Sequence, residues 1–336
     1  MGETTECLTR EIIPLNKMPH MTRPIYRCPL AALAGLAFSL CVGEQSYGQT
    51  VQADQAALAR SQPGSAYAAD AAGIIGDHAV PSPNDSDLGE QAILKRSERY
   101  QPLSISVALP FYWTSNVALV RSGEQSDFLL APVVALAYTP RLSNQLFGLF
   151  SIREQMFYYD RNPSLDFGDL NIETGVAYSL PQWHNLVLRG EFICDRLTNR
   201  NSLEAIFSNY SFFFSAEMPF RFGRAQQISI GTDANISVAG FPGPPRRNDY
   251  EVYAGYSVNV TRCFSLDAVG RIILHTYQLT NRVDVSEVLA TSATFSFNKY
   301  CSASAISTLA ANQSNHGIFD YKVANVGGLV SLNVKF

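Results

Sequence analysis

Arg153, Glu173, Arg189, Glu191, Asp195, Asp233, Glu251, Asp267, Arg271 and His275 are ionisable groups of both signs, and each sits on the polar side of a segment in which polar and apolar residues alternate. Carboxylates and guanidiniums facing each other in a confined space can constrict a passage and select what enters it. They can equally neutralise one another as salt-bridged networks in a narrow, filled interior. A row of one sign would argue for anion or cation selectivity. The mixture here points to paired groups, with Arg189, Glu191 and Asp195, and Asp267 with Arg271, as the closest-spaced sets. No CxxC, HExxH or His/Cys cluster marks a metal site, and no motif implies a cofactor or a catalytic residue.

Strands must position these groups. From Leu103 onward, Leu103, Ile105, Val107, Leu109, Phe111 and Trp113 fall on one side and Ser104, Ser106, Ala108, Tyr112 and Thr114 on the other. Period-two alternation predicts a strand with one apolar and one polar face. Similar segments run near 127–139, 145–159, 168–180, 185–197, 206–219, 225–238, 249–262, 264–279, 285–299, 301–312 and 319–336, twelve in all. Segment 127–139 is apolar on both faces, Glu154 breaks phase, and Leu329 breaks it near the end. Even-numbered segments end in tight turns such as Leu180-Pro-Gln-Trp-His-Asn185 and Arg221-Phe-Gly-Arg224. Odd-numbered ones end in longer polar stretches such as Asp195 to Ala205 and Gly240 to Asp249, where Arg246 and Arg247 read as a contact site or an ordinary solvated loop. This sorting predicts an all-β, up-and-down antiparallel barrel with its short turns on one rim. The polar face is rich in Ser, Asn, Asp, Glu and Gly, which suits a wet interior, so the apolar face points outward to lipid. Aromatics gather at two levels, Phe111, Tyr112, Trp113, Tyr158 and Tyr159 at one and Tyr138, Trp183, Phe220, Phe222 and Tyr300 at the other, as expected at membrane–water boundaries.

Composition agrees: charged residues make up 16% against roughly 25% in soluble domains, and mean hydropathy is −0.01. A net charge of −4 offers no basic field for nucleic acid. Residues 1–48 read as a signal peptide, with Arg23 and Arg27 before the apolar run Cys28 to Val42, and with Met18 or Met21 as alternative starts. Leu40 before Cys41 argues against a lipobox. Removing the leader leaves Cys194, Cys263 and Cys301; the last two lie two strands apart, about 10 Å, so three small buried thiols are expected rather than a disulfide. Residues 49–101 alternate Ala-rich runs with Pro/Gly/Ser stretches and read as a flexible, disordered periplasmic tether with one short helical turn, or as a plug or partner-binding segment. Residues 102–336 form the barrel.

The chain ends on Val326-Gly-Gly-Leu-Val-Ser-Leu-Asn-Val-Lys-Phe336, an alternating strand with a carboxy-terminal aromatic residue. With the leader and the segments before it, this resembles Gram-negative outer-membrane β-barrel proteins of twelve-stranded, porin-like size. The resemblance makes Val330, Leu332, Val334 and Phe336 a barrel-assembly signal. It implies integral outer-membrane localisation and, as partners, outer-membrane lipid and lipopolysaccharide, the barrel-assembly machinery, periplasmic chaperones and a small solute. Tyr112-Trp-Thr-Ser-Asn-Val117 also looks like the opening strand of barrels that modify or export surface lipoproteins and polysaccharides. The function implied is a small channel for passive or weakly selective transport, with a non-conducting assembly or export-associated barrel as the alternative. Outer-membrane phospholipases of this architecture carry His-x-Ser; none of His78, His184, His275 and His316 is followed two residues later by serine, so an enzyme is not expected.

Overall fold

The computed structural model describes residues 50–61, 101–200, 204–222, 225–243 and 245–336. Among the described residues one α-helix, α1 (Thr50–Arg60), precedes thirteen strand segments. These are β1 (Leu103–Thr114), β2 (Asp127–Leu130), β3 (Val133–Tyr138), β4 (Leu146–Tyr159), β5 (Phe167–Leu180), β6 (Leu186–Asn199), β7 (Ala205–Phe222), β8 (Gln226–Phe241), β9 (Arg247–Asn259), β10 (Phe264–Tyr277), β11 (Val283–Ser296), β12 (Cys301–Ser314) and β13 (Tyr321–Lys335). Apart from β2 and β3, which do not pair with each other, each pairs antiparallel with its neighbours in chain order, and β13 returns to pair with β1 from Ser104↔Lys335 to Thr114↔Asn325. The sheet is closed, so no edge strand remains.

β2 and β3 are one stave. Both pair with β1 and with β4, and the register on either side is unchanged across Ala131 and Pro132. Pro132 and its near neighbour Pro110 lack the N–H that a ladder needs, which interrupts the hydrogen bonding without shifting the strands. The barrel therefore has twelve staves, as the alternation predicted.

The face assignment holds as well. Ile105, Val107, Leu109, Phe111 and Trp113 are exposed on the outside, as are Val252, Ile272, Leu289, Leu309, Val330 and Leu332. Inside, Thr114, Asp169, Asn171, Ser211, Thr308 and Asn325 are nearly or wholly buried. Among the described residues no helix is long and apolar enough to cross a membrane; a closed sheet with an apolar exterior crosses with strands. The chain is thus an integral outer-membrane-type β-barrel.

Four expectations need correction. Tyr112 and Tyr159 are buried in the interior instead of lying in an aromatic girdle, because their positions fall on the inward phase of β1 and β4. The connections 200–204 and 242–246 are shorter than the polar stretches read as loops, because β6, β7, β8 and β9 extend through those stretches. Cys194 is buried but disulfide-bonded and not a thiol, whereas Cys263 is exposed and Cys301 half-buried, both free, because they sit at strand starts on the rim. Finally, residues 50–60, expected within a disordered tether, form a three-turn helix that packs inside the barrel. The proposed leader and residues 62–100 lie outside the described residues.

Candidate functional site

The lumen near the long-loop rim carries an apolar patch on strand positions that should be polar. Tyr112, Leu129, Val133, Phe157, Phe167, Leu197, Ile306 and Leu329 are all buried there. Phe157 and Phe167 stack with centroids 4.2 Å apart and planes at 7°. Helix α1 sets Ala53, Ala56 and Ala59 against this patch. Residues three apart share a helix face, and alanine lets the helix backbone lie close to the aromatic wall. Leu58 points the other way, into Leu119, Val288, Ala310, Tyr321 and Val323.

The first half of the connection 115–126 folds against the helix, burying Asn116, Val117 and Leu119, while residues 121–125 are exposed. Asn116 is fully buried and donates from Nδ2 to the carbonyls of Val120 (2.7 Å) and Lys322 (3.1 Å), while its Oδ1 accepts from the Val120 amide. Gln55 of α1 donates to the Val117 carbonyl at 3.1 Å. Helix and loop together fill the mouth.

Ion pairs complete the seat. Arg60, in the last turn where a cation complements the helix dipole, reaches both carboxylate oxygens of Asp169 at 3.0 Å and Asp195 Oδ1 at 2.9 Å. Near the other end of α1, Asp54 pairs with Arg247. Every one of these wall partners also has a bond within the wall. Asp169 accepts from Arg153 Nη2 at 2.9 Å, Asp195 accepts from Asn171 Nδ2 at 2.6 Å, and Arg247 Nε lies 2.9 Å from Asp249. Asp249 in turn lies 2.6 Å from His275 Nδ1, and His275 Nε2 is 3.1 Å from Ser286 Oγ.

Between α1 and the short-turn rim is a cavity of about 320 Å³. Glu173, Arg189, Glu191, Asp233, Glu251, Arg271 and His275 reach its wall, and Arg60 reaches it from the helix. Arg153 and Asp195 are at the helix seat above it, and Asp267 lies apart, bonded to Ser257 and Ser292. All ten residues singled out in the sequence are therefore on the interior face, but their pairing differs from the reading by spacing. Arg271 bonds Glu251 at 2.5 Å, not Asp267, and Asp195 bonds Arg60 and Asn171, not Arg189. Positions four apart along a strand are about 13 Å distant, whereas cross-strand neighbours are ~5 Å apart, so partners come from adjacent strands.

Sequence reasoning missed Asp169 and Asp249, and treated Arg247 as a loop residue when it opens β9 and faces the lumen. It also missed the seat. The available signal was the set of apolar residues on the inward phase, including Leu329 and both faces of 127–139.

No family model matches the sequence, and no curated protein matches it. Among solved structures, the barrel is similar to an outer membrane channel from Pseudomonas putida F1, with a TM-score of 0.50 at 11% identity over 70% of this chain and 98% of that one. The translocator domain of the autotransporter NalP from Neisseria meningitidis aligns at 0.41 and 9% identity over 70% and 88%. NanC porin aligns at 0.42 and 10% identity over 68% and 98%. At such identities the likeness is one of fold, that of an outer-membrane barrel.

Proposed function

We propose that this barrel is a small porin-like channel for passive, weakly selective movement of polar solutes, and that α1 is a plug that must leave its seat for the path to open. The observation that carries the reading is the double bonding of the wall. Stranding one member of a buried ion pair costs about 3–5 kcal/mol, a cost that would lock a plug in place. Here withdrawal of Arg60 leaves Asp169 with Arg153 and Asp195 with Asn171, and withdrawal of Asp54 leaves Arg247 with Asp249. Toward the aromatic patch the helix offers only alanine side chains, and Leu58 is the one large apolar side chain that it must withdraw from a buried cluster. The polar cavity beneath it supports a path over a solid core.

Proteoliposome swelling tests the reading. Vesicles holding the Asp54→Asn/Arg60→Gln protein should admit small uncharged sugars several-fold faster than vesicles holding the unaltered chain. Equal, near-zero rates for both, with the barrel folded, would favour the non-conducting structural alternative.

A further inference from the structure

The geometry points to a binding subsite in the lumen cavity for a small zwitterion, with the solute carboxylate at Arg189 and its ammonium at Asp233. The inference deepens the channel reading by naming a solute class, and rests on that reading only for its role in transport.

The charges around the cavity are mostly consumed. Arg60 is held by Asp169 and Asp195, Arg271 by Glu251, and Glu173 accepts from Ser151 Oγ at 3.1 Å. Two groups are left over, one of each sign. Arg189 lines the cavity, yet its buried Nη2 meets no acceptor. Asp233 lines the same cavity, and its carboxyl group has no hydrogen bond or ion pair among the described residues. A buried guanidinium N–H or carboxylate without a partner is costly, so such a pair facing one cavity calls for something to fill the gap between them.

Register fixes that gap. Arg189 pairs with Ser215, and Ser215 with Asp233, so the two charges stand in one inward row with a single strand between them. Two strand spacings are about 9.6 Å, and the pair forms no ion pair of its own within 4.0 Å. A solute bearing both charges spans them; one bearing a single charge leaves the other group unsatisfied. Arg189 offers a planar fork suited to a carboxylate, and Asp233 offers acceptors for an ammonium. A cavity of about 320 Å³ is at the small end of ligand pockets and suits a solute of amino-acid size.

Equilibrium binding to the whole protein in detergent micelles, read by ligand-observed NMR, tests the subsite without asking whether the channel conducts. The probes are glycine and 4-aminobutyrate, with butyrate and butylamine as single-charge controls. At least one zwitterion should bind saturably, and both controls should bind at least about tenfold more weakly, as expected for loss of one charge-assisted contact. Asp233→Asn and Arg189→Gln should each weaken the zwitterion by a similar factor, and the exchange Arg189→Asp/Asp233→Arg should recover part of the loss. Absence of saturable binding by either zwitterion overturns the inference, as does butyrate binding as tightly as 4-aminobutyrate. Binding by a protein that is silent in vesicles would refute the channel and leave the subsite standing.

Discussion

Tyr253 lies over Gly231, its cross-strand partner, so that a Cβ at position 231 would fall within the phenol ring, and the ring's hydroxyl goes on to Glu217 at 3.2 Å. Phe111 covers Gly328 in the same way on the lipid side. An aromatic ring over a strand glycine shields backbone that glycine leaves bare and pins the register. Gly231→Val should therefore expel the ring, break the bond to Glu217 and destabilise the barrel by about 1–3 kcal/mol, the usual range for overpacking. A fall in the urea midpoint of the heat-modifiable band checks this; an unchanged midpoint would remove the register role. Neither pair was legible from the sequence, because alternation gives the face of Tyr253 and not the residue opposite it. The inward phase itself was legible, and places Asp233 and Arg271 inside with Val258 and Ile272 outside. Single cysteines at 233 and 272 in the folded protein should accordingly differ, the first reacting with a membrane-impermeant thiol reagent and the second not. Reaction at 272 alone would invert the phase.

The twelve staves were readable because each repeats the same two-residue rule, and the rule survives even where prolines interrupt the ladder between β2 and β3. Helix α1 was not readable by that means. Its sequence, Thr-Val-Gln-Ala-Asp-Gln-Ala-Ala-Leu-Ala-Arg, has no broad apolar stripe, and alanine-rich segments of this length are marginal helices alone in water. What orders it is tertiary: aromatic residues more than fifty positions later, and charges on β5, β6 and β9. The phase breaks at Leu329 and across 127–139 were the trace of that seat. If the ion pairs hold the helix, Asp54→Asn/Arg60→Gln should speed amide hydrogen exchange across 50–60 by roughly tenfold or more while β9 to β12 stay protected. Equal acceleration everywhere would mean that the substitutions weaken the barrel and not the plug.

At the scale of the molecule, Phe336 extends the seam that closes the barrel. Phe336 donates its amide to Leu103 O at 2.8 Å and accepts from the Leu103 amide at 3.4 Å, which fastens the end of β13 to the start of β1. Val330, Leu332 and Phe336 are exposed on the outer wall beside this seam, with Val334 half-buried in the same row. Removing Phe336 should lower the yield of folded, heat-modifiable protein in outer-membrane fractions several-fold; an unchanged yield would separate the seam from assembly. The barrel fold was thus legible from β1 to β13, while the state of the lumen was not, since it turns on a helix that the barrel itself orders. Single-channel conductance in planar bilayers decides that point most directly, comparing the whole chain with one lacking residues 50–61. The account predicts rare, brief openings for the whole chain and sustained openings once the helix is gone. A folded barrel that stays silent without the helix would contradict it.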